Sequence, residues 1–76
     1  MQQKITISPK TATVAQGISQ QFASNTSNGQ WRIIKGHSNG TVDQTGLYKA
    51  GKTPGVDTIE VKATDGTTDT AIVTVL

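Results

Sequence analysis

His37 is the one histidine in the sequence, and a hydrolase would draw on the residues beside it: Ser38 follows directly and Asp43 lies a few positions on. A nucleophile, a base and an orienting carboxylate make a triad only when they converge in space. Here they are close in sequence alone, and the strained strand-to-helix elbow that exposes a catalytic serine has no counterpart. His37 is therefore read as an exposed turn residue. The last third of the chain carries four carboxylates, Asp57, Glu60, Asp65 and Asp69. Calcium asks for six to eight oxygens, and no EF-hand spacing is present. Glu60 alternates outward with Lys62 and Asp65 opens a turn, so these acids are read as turn formers and solvated groups. No metal, cofactor or catalytic residue is expected.

A second kind of chemistry is recognition. Trp31 and Tyr48 could stack on sugar rings if exposed. Strand phase turns Trp31 inward. Tyr48 can face the core with its hydroxyl wet, so it stays a binding candidate. Arg32 and Ile34 share the face opposite Trp31, and Lys35, Lys49 and Lys52 join them in a basic patch if their strands adjoin. Arg32, Ile34, Tyr48 and Lys49 are thus the candidate contact residues for an anionic glycan or a partner protein. The simpler reading of the same residues is a solvated sheet face. Asn25-Thr26-Ser27 and Asn39-Gly40-Thr41 are glycosylation sequons, but both fall in turns, which accounts for the asparagines without sugar.

The elements that position these residues are strands. Valine, isoleucine and threonine dominate a chain of 76 residues whose charged fraction is only 16%. Those residue types suit a half-buried pleated surface, and no window keeps a helical period. Lys4 to Ser8 alternates polar and apolar residues, and Thr11 to Val14 restarts the pattern after Pro9. Because proline cannot donate to a ladder, the first strand is expected to leave one sheet at Pro9 and join the other. Ile18 to Ser24 turns Phe22 inward, Asn28-Gly29 marks a hairpin, and Trp31 to Lys35 follows with Trp31 and Ile33 on one face. A very short strand at Thr41-Val42 precedes Leu47 to Gly51. Two long alternating strands, Asp57 to Ala63 and Thr70 to Val75, close the chain around Asp65-Gly66. Six or seven short strands at about ten-residue spacing point to a sandwich. Its expected core is Ile5, Ile7, Phe22, Trp31, Ile33, Ile59, Val61, Val73 and Val75.

The chain is long enough for one domain, residues 1–76, and too short for two. Without cysteine, no disulfide staples it. The net charge of +2 is too small to imply nucleic acid. Residues 1–52 hold six cations against Asp43, or +5, and residues 53–76 hold Lys62 against four acids, or −3. Folding brings distant segments together, so this split is not read as a dipolar surface. No apolar run is long enough to span a membrane, and Met1-Gln2-Gln3-Lys4 carries no signal-peptide pattern. The chain reads as a module of a longer protein and, in isolation, as a monomer.

The order of residues also resembles a known family. Ile5-Thr6-Ile7-Ser8-Pro9 is followed by Val14-Ala15-Gln16-Gly17, Gln21-Phe22 and Trp31. Gly40-Thr41-Val42-Asp43-Gln44-Thr45-Gly46-Leu47-Tyr48-Lys49-Ala50-Gly51 comes next. This resembles the bacterial immunoglobulin-like domains of group 2 over nearly the whole chain, most specifically in the Asp-x-x-Gly-Leu-Tyr-x-Ala run from Asp43 to Ala50. The resemblance implies an all-β, Greek-key immunoglobulin-like sandwich without catalytic residues. It implies a module of bacterial adhesins, cell-wall or carbohydrate-active proteins, or bacteriophage capsid or tail proteins, located outside the cell, on its surface or in a virion. Its expected role is weak contact with surface polysaccharide, a cell surface or another domain of its parent chain. The alternative is a structural spacer or decoration with no ligand.

Overall fold

The computed structural model describes residues 5–25 and 29–76. The expected Asn28-Gly29 hairpin and most of the first sequon lie outside the described residues. The described residues form nine strands and no helix: β1 (Ile7–Ser8), β2 (Thr11–Val14), β3 (Ser19–Gln21), β4 (Ala23–Ser24), β5 (Gln30–Lys35), β6 (Thr41–Val42), β7 (Leu47–Lys49), β8 (Gly55–Lys62) and β9 (Thr68–Val75). They make an all-β, sandwich-like fold. One sheet has the order β2-β9-β8-β5 and another β3-β7-β6, while β1 pairs with β4.

Pro9 divides the first stretch as its chemistry requires. Before it, β1 runs antiparallel to β4; after it, β2 lies parallel to β9. The Ser8-Pro9 peptide is cis. Phe22 separates β3 from β4, and its N–H donates to the Gly46 carbonyl at 2.9 Å. The line of β3 therefore continues past the interruption while the Phe22 ring drops into the core.

The two long strands carry five of the twelve core residues described. In β8 the inward positions are Asp57, Ile59 and Val61, and in β9 they are Ala71, Val73 and Val75. Register sets Asp57 opposite Val73 and Ile59 opposite Ala71. Ile5, Ile7, Phe22, Trp31, Tyr48, Ala50 and Val14 complete the buried cluster. Ile33, expected in the core, is only partly buried at its edge, because the β5–β8 register shifts between Ile33 and Lys35. The Phe22 and Tyr48 rings meet edge to face, with centroids 6.4 Å apart, an arrangement that adds to simple area burial.

Gly46 packs against both Phe22 and Trp31. Its φ is +86°, and a Cβ there would lie 2.6 Å from the Phe22 carbonyl and 2.9 Å from the Trp31 ring. The position therefore needs both a left-handed backbone and an absent side chain. Gly46→Ala is expected to cost about 2–3 kcal/mol, combining backbone strain with displacement of Trp31. A urea titration that finds it as stable as the parent would refute this packing.

Candidate functional site

The most concentrated polar chemistry is buried. Among the described residues, Asp57 and Ser38 are the two fully buried polar residues, and Tyr48 is fully buried beside them. Three elements bring them together: β8 turns Asp57 inward in phase with Ile59, β7 turns Tyr48 inward between Leu47 and Lys49, and the loop after β5 delivers Ser38. Asp57 Oδ1 accepts the backbone N–H groups of His37 at 2.7 Å and Ser38 at 3.0 Å. Its Oδ2 accepts the Ser38 hydroxyl at 2.5 Å and the Tyr48 hydroxyl. Ser38 Oγ in turn accepts the Gly51 N–H at 3.2 Å. Backbone packs directly over the cluster. A Cβ on Gly40 would lie 2.8 Å from the Tyr48 hydroxyl, and one on Gly51 would lie 1.6 Å from the Ser38 carbonyl oxygen.

Desolvation pushes the Asp57 carboxyl up, but the Ser38 and Tyr48 hydroxyls and the His37 and Ser38 amides together outweigh it. The group is held below the usual carboxylate range. Burial, and then the hydrogen bond to Asp57, push the Tyr48 phenol up to about 12. The result is an ionised carboxylate that accepts four donors and pins the 36–40 loop against β7 and β8. Ser38 donates its hydroxyl to Asp57 and is fully buried, so this cluster is a latch between the loop and the two strands.

The residues weighed as a triad go different ways. His37 presents only its backbone N–H to Asp57, and its residue is exposed. Asp43 folds onto its own turn, accepting from the Thr45 amide and hydroxyl and the Leu47 amide. Bonds from the Thr45 hydroxyl and then the Leu47 and Thr45 amides hold its carboxyl below the ordinary range. The C-terminal acids divide similarly. Asp65 accepts from the Thr67 amide and hydroxyl in a turn. Asp57, read from sequence as a solvated acid, is corrected to a buried anchor. Among the described residues no three His, Asp or Glu side chains gather into a metal-binding group.

The candidate contact residues also separate. Tyr48 is corrected: it is fully buried with its hydroxyl on Asp57, so its ring faces no ligand. Arg32 and Ile34 do share an outward face of β5, where Ile34 is 41% exposed and Arg32 Nε donates to Glu60 Oε1 at 2.9 Å. Lys49 lies on β7, in the other sheet from Arg32 and Lys35. Lys49 instead borders a depression of about 450 Å³ with Lys52, Asn39, Thr41 and Gly17.

Sequence reasoning missed one arrangement. The Gln44 side-chain amide brackets the Trp31 backbone, its Oε1 accepting the Trp31 N–H at 3.2 Å and its Nε2 donating to the Trp31 carbonyl at 3.0 Å. The spacer alternative expects chain ends at opposite ends of the body, and the molecule measures 41 × 17 × 17 Å. Ile7 donates to Asp69 Oδ2 at 2.8 Å, and Asp69 lies opposite Val61, beside the β8–β9 turn. Leu76 donates to the Val14 carbonyl at 3.0 Å, past the Gly55–Val75 pair at the far end of the same sheet. About 7 residues of β9, roughly 23 Å of extended chain, separate the two anchor points. Residue 5 and Leu76 therefore sit at opposite poles. No family model matches this chain, and no curated protein matches it either. No helix among the described residues is long and apolar enough to cross a membrane.

Proposed function

We propose that this chain is an immunoglobulin-like, non-catalytic spacer module that sets a fixed separation between whatever is joined at its two poles. The observation that carries the reading is the placement of residue 5 and Leu76 at opposite ends of an elongated body. The sheet orders β2-β9-β8-β5 and β3-β7-β6, with the first stretch shared between sheets at Pro9, support an immunoglobulin-like arrangement. The group 2 resemblance adds a setting, a bacterial surface protein or a phage virion. Dispersal of Arg32, Ile34, Tyr48 and Lys49 over two sheets and the core favours the spacer over a recognition surface.

The test joins a folded reporter to each end of the domain and measures the distribution of distances between them. A glycine-serine linker of equal length serves as the comparison and behaves as a flexible coil. The spacer gives a narrow distribution that broadens to that of the linker only in denaturant. A native distribution as broad as the linker's defeats the reading. Saturable binding of the fusion to bacterial polysaccharide, weakened by Arg32→Ala or Lys49→Ala, would move the assignment to surface contact.

A further inference from the structure

We propose that the depression bordered by Lys49 and Lys52 is a binding site for a phosphate monoester carried on a small polyol body, such as a sugar phosphate. This site goes beyond the spacer reading and does not depend on it: one is a seat at a single pole, the other a distance between poles.

Three segments meet at the depression, at the pole that holds Leu76. Gln16, beside it, donates to the Leu76 carbonyl at 3.0 Å. Gly17 donates to the Gly51 carbonyl at 3.2 Å and Ala50 to the Ile18 carbonyl at 2.9 Å, which ties residues 16–18 to the end of β7. Gly51 donates to Ser38 Oγ at 3.2 Å, and Asp57 holds Ser38 from behind. Asn39 follows this anchor and is the one non-glycine residue with a positive φ among the described residues, at +64°. The walls are thus fixed by bonds within the protein, so binding there needs little further ordering.

Charge decides what fits. The polar side chains at the depression are those of Lys49, Lys52, Asn39 and Thr41. None of the four hydrogen-bonds or ion-pairs with another described residue, whereas Lys10 and Arg32 are paired with Asp69 and Glu60. No carboxylate borders the depression. Asp43 and Asp65 accept from their own turns, and the Asp57 charge lies behind the loop, met by four donors. Two ammonium groups, an amide and a hydroxyl therefore face one opening with no anion competing for them. A phosphate group brings acceptor oxygens and about two negative charges, and lysine binds it as a point charge. Ala50 and the backbone of Gly17 and Gly51 leave unobstructed surface for the body of the ligand. The volume of about 450 Å³ falls within the range of about 300–1,000 Å³ that holds small molecules.

Chemical-shift titration of the intact domain with glucose 6-phosphate tests this. Saturation is expected with a Kd of about 1 mM, with shifts centred on residues 17, 39–41 and 49–52. Glucose should produce no saturable shift, and glucuronate, a monoanion on the same ring, should bind several-fold more weakly. Lys49→Gln and Lys52→Gln are each expected to raise Kd about tenfold, the loss of one charge-assisted bond. Asn39→Gly keeps the left-handed backbone and should raise Kd about threefold through the lost amide. Lys35→Gln removes an exposed cation outside the depression and should leave Kd unchanged. Absence of saturation at about ten times the expected Kd overturns the site. Glucuronate binding as tightly as the phosphate overturns the choice of ligand. An equal loss from Lys35→Gln would reduce the binding to the general positive charge of the domain and overturn the site as well. Failed binding with a narrow reporter distance discards the site and keeps the spacer. Intact binding with a broad reporter distribution discards the spacer and keeps the site.

Discussion

Asp57→Ala unfolds the domain at room temperature or leaves it barely stable. Asp57 is fully buried, and its removal strands the amides of His37 and Ser38 and the hydroxyls of Ser38 and Tyr48. Buried donors without partners each cost energy, and breaking a buried charged network costs about 3–5 kcal/mol. A domain of 76 residues has a total stability of about 4–11 kcal/mol, so the loss consumes much of it. Asp57→Asn is milder, since its carbonyl can still accept both amides while the hydroxyls turn to accept. Urea unfolding followed by Trp31 fluorescence ranks the parent above Asn above Ala. An alanine variant within 1 kcal/mol of the parent, about a fivefold change in the folding equilibrium, would mean that the latch is not structural.

The same cluster sets the response to pH. In the folded state the Asp57 carboxyl lies below the usual range, so as pH falls the unfolded chain takes up a proton first. The stability this group supplies is complete above about pH 4 and is lost as pH drops from there toward the depressed folded value. Asp69 is also lowered: burial raises it, and the Lys10 and Ile7 donors outweigh burial. Tyr48 acts at the opposite end. With its phenol raised to about 12, the unfolded chain loses its proton first, and stability declines between about pH 10 and pH 12. Asp57→Asn should flatten the acid limb. An unchanged acid limb would place the titrating groups elsewhere.

Trp31→Ala is the second large effect, a loss of about 3–5 kcal/mol for truncating a buried aromatic ring. Trp31 is 7% exposed and its ring packs against Gly46, bridging the sheet that contains β5 and the one that contains β7. Gly46 cannot move in to fill the space without carrying the Phe22 carbonyl with it. Trp31→Phe, which leaves a smaller hole, should lose roughly half as much. Thermal unfolding by circular dichroism, which does not depend on the lost fluorophore, measures both. Near-neutral stability for the alanine variant would remove Trp31 from the core.

Much of the fold was legible because strand phase needs only local sequence. Alternation along 57–63 and 70–75 places Ile59, Val61, Val73 and Val75 inward, and Pro9 marks the change of sheet. The site was legible only in part. Asp57 has the same parity as Ile59 and Val61, so its inward direction was readable, but an acid was read as solvated because nothing local neutralises it. Its partners arrive from Ser38, 19 residues earlier, and Tyr48, 9 residues earlier, through folding that no periodicity encodes. Tyr48 was ambiguous for a related reason: an amphipathic ring fits a wet or a dry site, and the buried carboxylate decides. Whether Lys49 joins Arg32 depends on which sheet each strand enters, and sheet membership is set by long-range pairing.

The Gln44 amide has a consequence for life at high local concentration. β5 is an outer strand of its sheet, and the unpaired backbone of such a strand is a template on which another chain can add. At Trp31 that template is occupied, because Gln44 satisfies both the donor and the acceptor of the residue. A neighbouring copy would have to displace a bond already made within its own host. The arrangement opposes the joining of sheets between neighbouring copies, which crowding would otherwise promote.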